Sequence, residues 1–243
     1  DLSQKNDLSY QSLIKYHVRD FSNEQSEQIE VPFKNRWYGS KPFGYINSNY
    51  SVCRNISLSA SVIHGVFPTE TAATTTMWTS LGNPSTTLML PYWPIGETPS
   101  VAQDEIISPL YKTSEAIKSY LYDDQNNRSY FDSYKLIDDN GLGIWNNFLS
   151  FEDSLFKEVE SKLEVHRTNK LPANHLLKFE HEIVAAGYSV ITSAKRKIEK
   201  LIKIEVLNDK SWNQINNVRF SDGDVIQLIS AGKNGDVDLP VNH

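Results

Sequence analysis

The chain has 243 residues, 39% of them hydrophobic and 11% aromatic, enough for a sizeable core in one large domain or two small ones. Its 24 Lys+Arg against 30 Asp+Glu give a formal charge of −6, which argues against a nucleic-acid binder; the dense basic cluster "AKRKIEKLIK" (Ala194 to Lys203) reads as the solvated face of a helix. No apolar run approaches the ~18–20 residues that span a bilayer, and a single cysteine, Cys53, excludes an internal disulfide framework.

The stretch "LSYQSLIKYHVRDF" (Leu8 to Phe21) places Leu13, Tyr16, His17 and Phe21 at helical spacing and predicts a short helix, with His17 packed rather than liganding. Lys34 to Cys53 is rich in Gly, Asn, Ser and aromatics and reads as a long loop. Its Trp37, Tyr38, Phe43, Tyr45 and Tyr50 either line a binding site or staple the loop down.

From Arg54 the pattern becomes extended. Ile56, Leu58, Ala60, Val62, His64 and Val66 alternate with Ser57, Ser59, Ser61 and Ile63, which predicts a strand. "TTTMWTSL" predicts a second strand and "TTLMLPYW" a third, joined by a tight turn at Gly82 to Ser85 and ended by Pro91 and Pro94. Short connections imply an antiparallel meander. Apolar or small residues on both faces imply a sheet covered on both sides.

The period then becomes helical. Leu110, Ile117, Tyr120 and Leu121 mark one helix; Trp145, Phe148, Leu149, Phe156, Val159 and Leu163 mark a second. Leu176, Ile183, Val184, Ile191, Ile198 and Leu201 mark a third, with Pro172 suited to its first turn and Gly187 weakening its middle. An Asp/Asn-rich break falls at Asp123 to Ser129. "IEVLND" after Lys203 and "DVIQLISA" after the turn "SDGD" predict two terminal strands, over 204–230, before a polar tail.

Motifs for chemistry are sparse. The sequence has no HExxH, CxxC, GxGxxG, P-loop or GxSxG, and so suggests no metal and no cofactor. Arg54 and His64 share a face by parity, but ten residues of strand span about 33 Å, too far for one site. Arg54 lies where loop meets sheet, next to Cys53, and suits either anion stabilisation or a structural ion pair.

Taken together, "CRNISLSASVIHGVFPTETAATTTMWTSLGNPSTTLMLPYW" resembles a segment of N-terminal-nucleophile (Ntn) hydrolases of the linear-amide C–N hydrolase group. That group holds choloylglycine hydrolases, penicillin V acylases and acyl-coenzyme A:isopenicillin N acyltransferase-like proteins. The residues that carry the resemblance are Arg54, Ser57, Ser59, Val62, Ile63, Gly65 and Val66, then Thr75 to Thr79, Leu81, Gly82, Pro84, Thr86, Pro91 and Trp93.

The resemblance implies an α+β fold, part of a four-layer αββα sandwich. It implies hydrolysis of a small acyl-amide by an N-terminal cysteine whose own α-amine is the base. The chain starts at Asp1 and has no cysteine before Cys53. The expectation is therefore a single domain that is the C-terminal portion of a larger fold. Its partner would be the N-terminal subunit of the same precursor, which carries the nucleophile, and the processed chain would be exported. Arg54 aligns with an arginine kept near the nucleophile; Asn83, Trp37, Tyr38 and Tyr45 are candidates for substrate contact, although a plain turn role suits Asn83 better. The alternative is a catalytically inactive ligand-binding module of the same fold, with the aromatic loop as its surface. A third reading makes Cys53 a nucleophile with His64 as its base.

Overall fold

A computed structural model describes residues 9–21, 45–49, 51–104, 106–122, 130–137, 143–169, 172 and 174–210. The chain divides into two compact units, Asp1–Leu201 and Ile202–His243. In the second, residues 202–210 are described and are helical.

The first unit is mixed α+β with small antiparallel sheets, as the change of period along the sequence suggests. Helix α1 (Tyr10–Leu13) starts on a capping box between Ser9 and Ser12 and continues as a π-helical turn, Ile14–Val18. The buried stripe is Tyr10, Ile14 and Val18, followed by Phe21. Tyr16 and His17 point to solvent, so the expected packed position of His17 is corrected. The buried positions Tyr10, Ile14 and Val18 are four apart, which leaves Tyr16 and His17 off the buried stripe.

Strands β1 (Tyr45–Asn47) and β5 (Tyr130–Asp132) form one antiparallel pair. Strands β2 (Ser59–His64), β3 (Thr76–Leu81) and β4 (Leu90–Tyr92) form the expected antiparallel meander. Val62 stands opposite Trp78, and Trp78 opposite Pro91. Pro91 lacks an N–H, and it is accommodated because β4 pairs only with β3 among the described residues.

Helix α2 (Pro109–Leu121) begins with Ser108 as N-cap and Pro109 in its first turn. After the short α3 (Ser133–Leu136) come the two long helices, α4 (Ile144–Asn169) and α5 (Asn174–Lys210). All three expected helices are present, and most of each stripe is buried: Leu110, Ile117 and Leu121; Trp145, Phe148, Phe156, Val159 and Leu163; Leu176, Ile183, Val184, Ile191 and Ile198; Tyr120 and Leu149 are only half-buried, and the Leu201 side chain lies outside the described residues. Gly187 does not weaken α5 without return. A Cβ there would stand 2.7 Å from Leu90 Cδ2, so glycine lets the helix lie directly on β4.

One face of the meander is closed by α1 and α4: the Tyr10 ring stacks on His64 (4.6 Å) and Trp78 (5.2 Å), and Phe156 packs on Trp78 (5.0 Å). The other face is closed by α5 over β4. Toward β2 that cover ends, and the expectation of a sheet covered on both sides is corrected there. Strand β2 is also shorter than its alternation suggested, because turns occupy residues 52–56. Ile56 and Leu58 precede the ladder and lie in solvent instead of joining Ala60 and Val62.

The third expected strand shrinks to Leu90–Tyr92. The expected turn at Gly82 to Ser85 is present, and Thr86 to Met89 run on from it as an irregular, wholly buried loop instead of strand. The expected strand at "IEVLND" is also corrected: 204–209 lies within α5. Nothing in Lys203–Lys210 is a Gly or Pro, and extending a formed helix is easier than nucleating a strand. "DVIQLISA", the break at Asp123–Ser129, and Trp37, Tyr38, Phe43 and Tyr50 lie outside the described residues.

Candidate functional site

Of the segment from Cys53 to Trp93, residues 54–73 are half-buried or exposed, and the later part runs into the interior. From Gly82 to Trp93 every residue is buried. A loop inside a protein brings backbone groups that water cannot reach, so side chains must satisfy them. Here they come from three helical elements. Arg19 Nε donates to Pro84 O (2.9 Å) and Arg19 Nη2 to Thr87 O (3.0 Å). Glu152 accepts the Met89 N–H (2.8 Å), Glu180 accepts the Trp93 N–H (2.7 Å), and Trp145 Nε1 donates to Ser85 O (2.9 Å). Arg19 and Glu152 close on each other in a bidentate pair with both contacts at 2.6 Å. Burial alone would depress the Arg19 guanidinium; the charge and hydrogen bonds of Glu152 outweigh it and hold the group above its ordinary value.

Asn83, a candidate for substrate contact, is part of this framework. Its Nδ2 donates to Arg54 O (2.8 Å), and its Oδ1 accepts from Ser85 N (3.0 Å) and Ser85 Oγ (2.7 Å). The side chain is fully buried with both ends engaged, which is the turn role and not a pocket rim. Arg54 lies in a turn with its side chain exposed, and its carbonyl is what meets Asn83. Tyr45 is in β1, opposite Asp132. Trp37 and Tyr38 are outside the described residues. The fold therefore joins Arg54 to Asn83 through the backbone.

Cys53 does not fit the third reading. It is completely buried, and its Sγ donates to Val18 O (3.1 Å). Burial pushes the thiol up to about 12, Asp20 adds to this, and Arg19 opposes it. The thiolate is thus absent at neutral pH, and His64 is stacked on Tyr10 instead of reaching the sulfur. Labelling the native protein with a maleimide at pH 7 is expected to leave Cys53 unmodified, with rapid reaction only after denaturation. Fast labelling of the folded chain would contradict the packing around the thiol.

What the fold leaves open is the flank of β2. Among the described residues β2 pairs only with β3. Ile63 is 69% exposed, Leu58 57%, Ile56 72% and the adjacent Met77 42%. Ile63 stands opposite Met77 in the ladder, so the two form one apolar step on the same face. Ser59 and Ser61 continue that face, with Ser61 Oγ bonded to Thr79 Oγ1 (3.0 Å). The strand SASVIH has no Lys, Glu, Asp or Pro, the residues that guard a natural sheet edge. The result is a strand edge without Lys, Glu, Asp or Pro that carries one exposed apolar step, Ile63 with Met77, and is preceded by the exposed Leu58, Ile56 and Arg54. Such a surface can accept another strand by main-chain pairing while its side chains are covered.

The alternation that marks this strand was visible in the sequence; its exposure was not. The buried Arg19–Glu152 pair also had no signal in the sequence, because its members are separated by 133 positions and nothing local marks their pairing. No family model, curated protein or solved structure matches the chain. No described helix is long and apolar enough to cross a membrane.

Proposed function

We propose that this chain is the C-terminal portion of an amidohydrolase that cleaves a linear C–N bond in a small acyl-amide, and that it works only with polypeptide carrying an N-terminal cysteine. The observation that carries the reading is the apolar edge of β2, which pairs only with β3 among the described residues, beside a rigidly held Thr–Met–Trp–Thr and Leu–Gly–Asn–Pro segment. A self-contained binding module would be expected to guard that edge; a half-fold that adds strands there would not. The burial of Cys53, the single cysteine in the sequence, supports placing the nucleophile on the partner.

In this reading the partner's strands extend the meander past β2 and a second sheet stacks on it, giving the αββα layering. The partner's thiol attacks the amide carbonyl carbon while its α-amine accepts the thiol proton. The proton then passes to the leaving nitrogen as the C–N bond breaks, and water hydrolyses the thioester. Arg54, at the junction of turn and sheet, is the residue of this chain that can support charge near that thiol. Trp37, Tyr38 and Tyr45 supply the aromatic rim for the acyl group. Asn83 acts by holding the turn.

Intact mass and N-terminal sequencing of the native preparation test the proposal. The expected result is a second, co-purifying chain that begins with cysteine. The chain isolated without it is expected to self-associate on size exclusion, and Ile63→Lys with Leu58→Lys to restore a monomer. One native species with no partner and no upstream cysteine, running as a clean monomer, would favour the inactive binding module and overturn the assignment.

A further inference from the structure

A cleft of about 410 Å³ lies between the last turns of α4 and the first turns of α5, far along the sequence from the β2 edge. Its volume is within the ~300–1,000 Å³ typical of small-molecule sites. Leu176 and Phe179 are buried and lie in its lining, and Lys162, His175, Lys178 and Glu182 contribute the polar part of its wall. Lys162 and His166 are one turn apart on α4, while His175, Phe179 and Glu182 follow one face of α5.

The polar group that marks the cleft is His166. Its side chain lines the cleft and is only 7% exposed, yet its Nε2 is buried with no hydrogen-bond partner. A buried ring nitrogen is ordinarily satisfied, and leaving one bare costs stability without return in the folded chain. His175 is too far to serve, at 6.4 Å between ring centroids and in an edge-on arrangement.

The surrounding groups choose the ligand's chemistry. Lys178 is engaged with Glu182 (3.8 Å), while the Lys162 ammonium lies 5.5 Å from the Phe179 ring, on the same helical face as His166. An ammonium and an imidazole N–H together suit an anion and repel a cation. A metal is disfavoured further because no cluster of three His, Cys, Asp or Glu exists among the described residues. The apolar surfaces of Leu176 and Phe179 suit a hydrocarbon body. We propose that the α4–α5 cleft binds a small carboxylate with an aryl or alkyl body, its oxygens between the His166 imidazole and the Lys162 ammonium and its body against Phe179 and Leu176. This inference rests on the helical hairpin alone and stands or falls separately from the amidohydrolase reading.

Benzoate is a suitable probe and benzyl alcohol its uncharged match, added to the full chain and followed by the histidine ring signals in ¹H–¹⁵N NMR spectra. Benzoate is expected to shift the His166 signals saturably with a Kd of about 1 mM or tighter, and benzyl alcohol to bind at least about tenfold more weakly. Lys162→Met is expected to weaken benzoate about tenfold, roughly the worth of one charged contact (~1.4 kcal/mol). His166→Leu is expected to abolish it, with amide dispersion reporting that each variant is folded. Absence of saturation, equal binding of the alcohol, or unchanged binding in Lys162→Met would overturn the proposal. Lys162 is a surface residue, so its variant decides the matter even if His166→Leu does not fold.

Discussion

Glu152→Ala is expected to lower the free energy of unfolding by about 3–5 kcal/mol, measured by urea denaturation. The two side chains of the Arg19–Glu152 pair are each 1% exposed. Removing the carboxylate strands a guanidinium charge in the interior and frees the Met89 N–H at the same time. The loss should exceed that from a surface ion pair such as Lys195–Glu199, for which ~0–1 kcal/mol is usual. Glu152→Gln keeps an acceptor for Met89 and is expected to lose less than the alanine variant. Replacing both partners, Arg19→Met with Glu152→Leu, removes both charges but leaves Pro84 O, Thr87 O and the Met89 N–H without partners. At ~1–3 kcal/mol for each buried unsatisfied group, the double variant is not expected to return to parental stability. A loss below about 1 kcal/mol for Glu152→Ala would show that water reaches the pair.

The second large effect is expected at the start of the same loop. Gly82 has φ of +125°, which an L side chain rarely adopts, and a Cβ built there would stand 2.2 Å from Ser114 Oγ and 2.4 Å from Ser114 Cβ. Gly82→Ala should therefore combine ~1–3 kcal/mol of backbone strain with ~1–3 kcal/mol of overpacking against α2. The two parts are separable. Adding Ser114→Gly to Gly82→Ala removes the colliding atoms and should recover the packing part, while the strain persists. The Thr86–Ser114 hydrogen bond (2.8 Å) is lost in that second variant, so Ser114→Gly alone supplies the baseline. Equal stability of Gly82→Ala and the parent would mean that the turn relaxes to another conformation.

The helices were legible because their signal is local. Trp145 to Leu163 and Leu176 to Ile198 repeat at helical spacing, and those faces are the ones buried. The meander was legible for the same reason, with turn residues dividing alternating runs. The turn at Gly82 to Ser85 was read correctly, but residues 86–89 were misread as strand because β-branched Thr86 and Thr87 favour strands in isolation. Their actual path is set by Arg19, Trp145 and Glu152, which no window around the loop contains. At 204–209 the β-branched Ile204 and Val206 suggested a strand, and the helix running into them prevailed. The site was less legible than the fold. Asn83 could be read as a turn from the Asn–Pro pair, but the bareness of β2 depends on which elements stop short of it. His166 was passed over because its neighbour His175 belongs to another helix and the cleft exists only once the hairpin has formed.

The clamp on the central loop also has a consequence for synthesis. Met89 leaves the ribosome 63 residues ahead of Glu152, the carboxylate that will hold its amide. At ~5–20 residues per second, that is about 3–13 s of waiting. For that interval the nascent chain carries Leu88, Met89 and Leu90 with neither their helical cover nor their anchoring charge. The segment that ends up most firmly fixed is thus the one a holding chaperone would have most reason to shelter.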